Sequence, residues 1–148
     1  MAAPQNIHLS IPAASEFIVV ARLSVSGIAA RMNFSVEDIE DIKIALSEAC
    51  TNAIQHAYEG QSGPSVIGMT FFLYSDKLEI EVKDTGKGFN PQTAVSHKVE
   101  TDQPSEQFGL GLGLTFIKSL MDEANIQSDM GKGTVVKMVK YTSHTLPA

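Results

Sequence analysis

The order in which helical and strand-like patterns follow one another along the chain constrains the fold most strongly. Alternation with a period of two predicts five strands, over residues 6–11, 65–74, 77–83, 125–130 and 134–141. Apolar spacings of three and four predict three helices, over residues 15–32, 35–57 and 114–123. Because strands and helices do not alternate regularly, a doubly wound parallel sheet is disfavoured. We expect an α+β two-layer sandwich, with a mixed, mostly antiparallel sheet and the helices on one face.

The second predicted helix carries the clearest periodic signal in the chain. Ser35-Val-Glu-Asp38 resembles a capping box, and its carboxylates lie in the first turn, where the helix dipole favours them. Apolar residues then recur at spacings of three and four: Ile39, Ile42, Leu46, Ala49 and Ala53. This stripe predicts a long amphipathic helix that packs one side on the core. In the first predicted helix, Ser15 is the expected N-cap.

Length and composition are typical of a globular protein with one domain. The chain has 148 residues, of which 43% are hydrophobic and 19% charged. We therefore expect a single domain over residues 1–148, ordered from about 7 to 141. The stretch over 90–108 is polar, contains two prolines and has little periodicity, so we expect a mobile loop there.

Charge and cysteine usage exclude several classes of protein. Eleven basic and 17 acidic residues give a net charge of −6, which disfavours direct binding to a nucleic-acid backbone. The single cysteine, Cys50, has no internal disulfide partner. The N-terminal segment lacks a secretion signal, and the longest apolar stretch, residues 66–74, is too short to span a bilayer. We expect a cytoplasmic protein that does not bind membranes.

Three polar residues on the second helix are the first candidates for chemistry. Glu48, Asn52 and His56 follow one another at spacings of four, which places them on one helix face. A solvated polar face is the simplest interpretation of such a triplet. However, Asn is a mediocre helix former in mid-helix, and small residues surround it. The alternative is that Asn52 binds a divalent cation such as Mg²⁺ while Glu48 accepts a proton.

Glycine-rich segments supply the other candidates. Asp84, Gly86 and Gly88 form D-x-G-x-G at the end of a predicted strand, where the glycines can serve a turn or the approach of a flat ring. There, the Asp84 carboxylate can accept a hydrogen bond from an exocyclic amine. By itself, this motif is equally compatible with an ordinary turn.

A second glycine-rich segment opens the third predicted helix. Gly109, Gly111 and Gly113 precede backbone N–H groups that can hold phosphates, or they form a flexible hinge. The segment matches neither the dinucleotide fingerprint nor a Walker A loop. The later Gly131-Lys-Gly133-Thr134 segment joins two predicted strands and, taken alone, indicates only a turn.

Taken in order, the four segments resemble the N, G1, G2 and G3 boxes of the ATPase superfamily of DNA gyrase, Hsp90, histidine kinases and MutL. Within it, IEDIKIALSEACTNAIQHAY and GLGLTFIKSLMDEA resemble the bacterial anti-sigma-factor serine kinases of the RsbW type. The likeness covers roughly residues 7–141. It implies the histidine-kinase-like ATPase fold, ATP and Mg²⁺ as cofactors, and an ATP lid over 90–108.

The resemblance also implies a role for each matched residue. Glu48 matches the general base and Asn52 the Mg²⁺ ligand, whereas Asp84 matches the aspartate that reads the adenine amine. The remaining matches are with nucleotide-contacting positions and one partner-contacting position: Gly86 and Gly88 beneath the base, Gly111 and Gly113 beside the phosphates, Thr134 near the adenine, and Arg22 at protein partners. Gly109 is a nucleotide-binding candidate in the same segment, but it departs from the family pattern, in which relatives often carry a polar or charged residue there.

The function implied by the resemblance is an ATP-dependent protein serine kinase. Its substrate is an anti-anti-sigma factor, and it sequesters a sigma factor, which makes it a negative regulator of stress-response transcription. A homodimer is implied as well, and the apolar side of the first helix is a possible seam. Two alternatives stay open: an ATP-binding module that sequesters a partner without kinase activity, and an isolated histidine-kinase catalytic domain.

Overall fold

A computed structural model describes residues 3–57, 65–84, 113–129 and 133–142 of the chain. The chain begins with strand β1 (Gln5–Pro12), a 3₁₀ turn (Ser15–Phe17) and helices α1 (Ile18–Ala30) and α2 (Val36–Asn52). A π-helical turn (Ala53–Ala57) extends α2. Strands β2 (Val66–Leu73) and β3 (Lys77–Asp84), helix α3 (113–120), and strands β4 (Glu123–Asp129) and β5 (Gly133–Tyr141) complete the order. The expected lid over 90–108 lies outside the described residues.

The five strands form one sheet with the order β1-β2-β3-β5-β4. All four pairings are antiparallel, so the sheet that we expected to be mixed is antiparallel at each of them. β2 and β3 form the predicted hairpin, and α3 lies between β3 and the final pair in sequence. The strand that follows α3, β4, lies at the edge of the sheet, and β5 lies between β4 and β3. The α+β architecture is confirmed.

One face of the sheet carries the core. Leu78, Ile80 and Val82 of β3 are buried, whereas Glu79 and Glu81 on the other face are partly exposed. Neighbouring strands and all three helices contribute to the same apolar cluster, with Met69, Phe71, Met138, Val25, Ile42, Leu46 and Ile117 among its members. Burial of each large apolar side chain contributes about 1.5–3 kcal/mol, so this layer supplies most of the stability. The helices therefore lie on one face, as predicted.

The predicted N-cap is correct for α2 and wrong for α1. The Ser35 Oγ accepts a hydrogen bond from the Asp38 backbone N–H at 3.0 Å, which confirms the predicted cap of α2. Ser15 does not cap α1, because a 3₁₀ turn starts there and its N-cap residue, Ala14, makes no side-chain cap. The α-helix begins only at Ile18.

The third helix ends earlier than its apolar pattern predicts. It stops at residue 120, because the Asp122 N–H already donates to the Val139 carbonyl of β5 at 2.9 Å. The chain thus changes from helix to sheet within two residues. Among the described segments, no helix has the length and apolarity to cross a bilayer.

Candidate nucleotide site

The last two turns of α2 carry the polar side chains of Glu48 and Asn52, next to a helix face of small buried residues. Ala49 and Cys50 are buried, and Ala53 is 8% exposed, which confirms the tight packing inferred from the small residues. Glu48 and Asn52 are partly buried. The simple interpretation of a fully solvated polar face is therefore wrong for this pair.

Gly113, the first described residue of α3, lies directly against this pair. A Cβ at Gly113 would overlap the Asn52 amide nitrogen and lie 3.1 Å from both the Asn52 Oδ1 and the Glu48 Oε2. A glycine is therefore needed for this close approach, since any side chain would displace Asn52. The structure thus brings Glu48, Asn52 and the N-terminus of α3 to one place.

A π-helical turn, Ala53–Ala57, follows Asn52 at the end of α2. The turn contacts both β3 and β5. These contacts bring the end of α2 over the strands that carry the next two candidates.

Asp84 and Thr134 lie opposite one another on β3 and β5. Asp84 is 4% exposed and Thr134 is 7% exposed. Asp84 continues the inward-facing positions of β3, and its neighbour on the other side is the buried Ile67. A carboxylate in such a position can present a strong acceptor to a planar ligand at the edge of the core.

The turn glycine before Thr134 is required by the backbone. Gly133 has a φ of 93°, which belongs to the left-handed region that other residues rarely adopt. This conformation begins β5 immediately before Thr134. Gly133 therefore supplies the backbone conformation from which β5 places a buried threonine beside Asp84.

The thiol of Cys50 does not take part in this site. Burial raises the pKa of Cys50 to about 12, which keeps the sulfur protonated and unreactive at neutral pH. Its side chain is fully buried in the core. Cys50 thus fixes the inner side of α2, while Glu48 and Asn52 occupy the other side.

Some candidates are not brought to this place. Arg22 lies exposed on α1 and is not among the side chains that meet Gly113. Four glycine candidates lie outside the described residues: Gly86, Gly88, Gly109 and Gly111.

Comparison with known proteins identifies the family. The model of the histidine kinase-like ATPase domain matches residues 11–140. The serine-protein kinase RsbW of Bacillus licheniformis is 41% identical over 145 residues, which cover 94% of this chain and 87% of the relative. The serine-protein kinase RsbW of Bacillus mycoides is 44% identical over 140 residues, covering 93% and 85%. The chain belongs to the RsbW family of serine-protein kinases. Membership in this ATPase-domain family implies the use of ATP.

Solved structures support the fold of this RsbW-family protein. A Mycobacterium tuberculosis structure of RsbU and RsbW domains has a TM-score of 0.66 at 21% identity, covering 97% of this chain and 34% of that one. The histidine kinase domain of a blue-light activated kinase from Erythrobacter litoralis has a TM-score of 0.56 at 23% identity, covering 97% and 66%. At these identities the likeness concerns the fold alone, and it is the histidine-kinase-like ATPase fold that we expected.

Sequence reasoning overlooked one polar residue on the inner face of the sheet. Lys140 follows Val136 and Met138 at a period of two, which places its side chain on the helix-covered side of β5. The same alternation assigns Asp84 to the inner face, although the predicted strand ended at residue 83. In this RsbW-family protein, extending the alternation of inward and outward positions past the last apolar residue of each strand would have placed both Asp84 and Lys140 on the inner face.

Proposed function

We propose that this protein transfers the γ-phosphoryl group of ATP to a serine of an anti-anti-sigma factor, and that it sequesters a sigma factor. The observation that carries the proposal is the close approach of Glu48 and Asn52 to Gly113, the first described residue of α3. A base, an amide oxygen and backbone N–H groups then share one place. Those are the groups that phosphoryl transfer requires.

In this proposal the N-terminus of α3 holds the phosphates. The first N–H groups of a helix have no intrahelical partner, and the helix dipole favours an anion there. Gly111 and Gly113 let the backbone approach the phosphates closely, and Gly109 belongs to the same segment. Membership in the RsbW family supports this assignment, since ATP is the family's phosphate donor.

The adenine end of ATP is assigned to the paired strands. The buried Asp84 accepts a hydrogen bond from the exocyclic amine, and Thr134 lies beside it. Gly86 and Gly88 would lie beneath the base. A buried acceptor of this kind favours an amine over a keto group, because a carbonyl in that position would face the carboxylate without a shared proton.

Asn52 is the proposed Mg²⁺ ligand. Among the described residues, no group of three or more His, Cys, Asp or Glu side chains is placed to hold a metal. A carboxamide oxygen suits Mg²⁺, which is commonly bound through one or two protein oxygens plus phosphates and waters. The ion would neutralise charge on the β- and γ-phosphates during transfer.

Glu48 is the proposed general base. It would take the proton from the substrate serine while the serine oxygen bonds to the γ-phosphorus, the β–γ bridging bond breaks and ADP leaves. Glu48 lies one helical turn before Asn52, and both contact the same glycine. A module that only sequesters a partner has no need of such a base.

Phosphorylation would then act as a switch between partners. A phosphate adds about −1.5 to −2 charges to the substrate protein. The kinase itself has a net charge of −6, so the phosphorylated product is repelled and the kinase surface becomes available to a sigma factor. Arg22, exposed on α1, is the proposed contact residue for these protein partners.

We also propose that the protein is a homodimer in the cytoplasm and that it does not bind nucleic acid directly. The apolar side of α1 was the possible seam, and Val19, Val20 and Leu23 on this helix are indeed exposed. Leu23, at 68% exposure, is the most prominent of the three. Sigma factors and ATP are available in that compartment.

The substitution Glu48→Gln tests the proposed base. We expect the phosphotransfer rate to fall at least about 100-fold, since general-base catalysis contributes roughly 10²–10⁴. The amide keeps the shape of the side chain, so MgATP affinity should change less than about threefold. Transfer is measured with γ-labelled ATP and an anti-anti-sigma protein from the same genome, and affinity by calorimetric titration.

The control is Glu40→Gln, the same substitution on the same helix. The exposed Glu40 carboxylate pairs with Lys43 at 2.9 Å in an i,i+3 ion pair, so its loss should leave transfer unchanged. Transfer by Glu48→Gln at the parental rate would remove Glu48 as the base. Absence of MgATP binding to the unmodified protein would refute the proposed function as a whole.

A further inference from the structure

Lys140 is unusual because a lysine occupies the inner face of the sheet. It lies opposite the buried Leu78 and two residues beyond the buried Met138. Its side chain is only 12% exposed. Lysine is almost never buried without partners, so the groups around its ammonium define its role.

The ammonium of Lys140 joins two helices. Its Nζ donates to the Leu120 carbonyl, the last residue of α3, at 2.6 Å. It also lies 3.9 Å from the Asp38 Oδ1 and 3.9 Å from the Asp41 Oδ2, both on the first two turns of α2. The final carbonyls of a helix have no intrahelical partner, and a cation is favourable there. Lys140 therefore ties the C-terminal end of α3 to the N-terminal end of α2.

The two contacts of α3 with α2 lie at opposite ends of its described residues, 113–120. At one end, Gly113 meets Glu48 and Asn52 on the last two turns of α2. At its end, Leu120 meets Lys140, which is flanked by Asp38 and Asp41 of α2. The two helices are therefore antiparallel, and each end of α3 is fixed to α2.

Tertiary contacts set the position of α3, of which residues 113–120 are described, because most helical stability in proteins comes from packing an apolar face. Ile117 and Met121 bury its apolar side in the core. The Lys140 contact adds a directional bond at the end farthest from the candidate site.

We propose that Lys140 is a positioning residue of the nucleotide site. By holding Leu120, it keeps α3 in the place where Gly113 sits on Glu48 and Asn52 and where the helix N-terminus meets the phosphates. The phosphate part of this inference rests on the proposed function. The proposed adenine part of the site, at Asp84 and Thr134, lies at the opposite end of the β3–β5 pairing from Lys140.

The test is Lys140→Met, which keeps an apolar stem and removes the charge. We expect the NMR amide signals of Gly113 and of the Asn52 side chain to shift in the protein without ligand. MgATP affinity should fall about fivefold to tenfold, whereas affinity for adenosine, which lacks phosphates, should stay within about twofold. Lys140→Arg, which can still donate to the Leu120 carbonyl, should restore most of the MgATP affinity.

The matched control is Lys137→Met, on the same strand. Lys137 lies on the outer face of β5 opposite Glu81 and is exposed, so its loss should move neither the two amide signals nor the affinity. Asp41→Asn carries the same test if Lys140→Met does not fold. It removes one carboxylate beside the ammonium and should shift the same two signals by less.

Two results would overturn the inference. One is an equal loss of MgATP and adenosine affinity, which indicates a general loss of structure. The other is unchanged Gly113 and Asn52 signals in a folded variant at position 140. If the unmodified protein binds no MgATP, the proposed function fails, whereas the NMR comparison still decides whether Lys140 positions α3.

Discussion

The polar groups at the two ends of the sheet differ in their exposure to solvent. At the end where β3 begins, Lys77 pairs with Glu79 at 3.1 Å, and the Tyr141 hydroxyl donates to Glu123 at 2.9 Å. The Lys77 ammonium also lies 4.9 Å from the centroid of the Tyr74 ring. At the end where β3 finishes, Asp84 is almost fully buried beside a buried threonine. One end is an exposed network of charges, and the other is a polar extension of the core.

The two ends differ in how far water reaches their charged groups. Partly exposed pairs such as Lys77–Glu79 contribute little, because water and salt screen them. A buried carboxylate such as that of Asp84 is costly to desolvate, so its position at the edge of the core calls for polar partners. At the same end, Glu48 and Asn52 face a glycine, which leaves their polar ends close to a helix N-terminus. Three tests of this contrast follow, in order of expected effect.

The largest effect is expected from Gly113→Ala. Its Cβ would overlap the Asn52 amide nitrogen, so the amide must move away from its present place. We expect MgATP affinity to fall roughly 10- to 100-fold while the protein stays folded, since the displaced atoms are at the end of a side chain. Calorimetric titration and thermal unfolding measure the two quantities.

Gly27→Ala is the matched control for that substitution. Gly27 lies on α1, and a Cβ there would meet no atom within 4 Å. Alanine is the better helix former, so the control should gain about 0.5–1 kcal/mol of stability without a change in affinity. Equal affinity of the two variants would show that the close approach at Gly113 has no part in binding.

An intermediate effect concerns the buried side of α2. Burial raises the pKa of Cys50 from 9.0 to about 12, so the unfolded thiol ionises first as the pH rises. Burial of the protonated thiol therefore contributes fully to the free energy of unfolding below pH 9, and this contribution is lost progressively as the pH rises toward 12. Between pH 8 and pH 10, we expect the free energy of unfolding to fall about 1.4 kcal/mol more than in Cys50→Ala. Urea unfolding at the two pH values measures this difference.

Equal pH dependence in the two proteins would contradict the prediction. It would mean that the thiol reaches solvent in the folded state and that the inner side of α2 opens. The contrast between a fixed inner side and a ligand-facing outer side would then not hold for this helix. The unfolding slope m should be the same in both proteins, which excludes a change in the unfolded state.

The smallest effect is expected at the exposed end. The hydrogen bond to Glu123 raises the pKa of Tyr141, with a further contribution from the Glu123 charge. Glu123→Gln should therefore lower the Tyr141 pKa toward its ordinary value, followed by NMR of ¹³C-labelled tyrosine over an alkaline titration. The unfolding midpoint should change by no more than about 2 °C, because the pair is exposed. A larger loss would show that the charge network at this end supports the fold.

Much of the fold could be predicted from local pattern. The stripe that starts at Ile39 predicted α2, and the alternation of Leu78, Ile80 and Val82 predicted the inner face of β3. Both follow from the fixed periods of helix and strand, which convert sequence spacing directly into a face. The cap at Ser35 was equally local, since donor and acceptor are three residues apart.

Two helix boundaries were predicted wrongly. Ser15 has the chemistry of a cap, yet a 3₁₀ turn precedes α1, and the Phe17 N–H donates to the Ala14 carbonyl within that turn. The third helix was predicted to run to residue 123, whereas hydrogen bonding of Asp122 to β5 ended it earlier. At α3 the signal that decided the boundary lay in another strand, outside the helix itself.

By itself the sequence determined the helices and strands, the faces they bury and the family, because periodicity and motif order are properties of neighbouring residues. Only the tertiary structure decided that Gly113 meets Glu48 and Asn52, that Asp84 lies beside Thr134, and that Lys140 joins α3 to α2. These contacts connect residues 20 to 102 positions apart, from Lys140–Leu120 to Lys140–Asp38. Their closeness depends on how the whole sheet and its helices pack, and no local spacing encodes that distance.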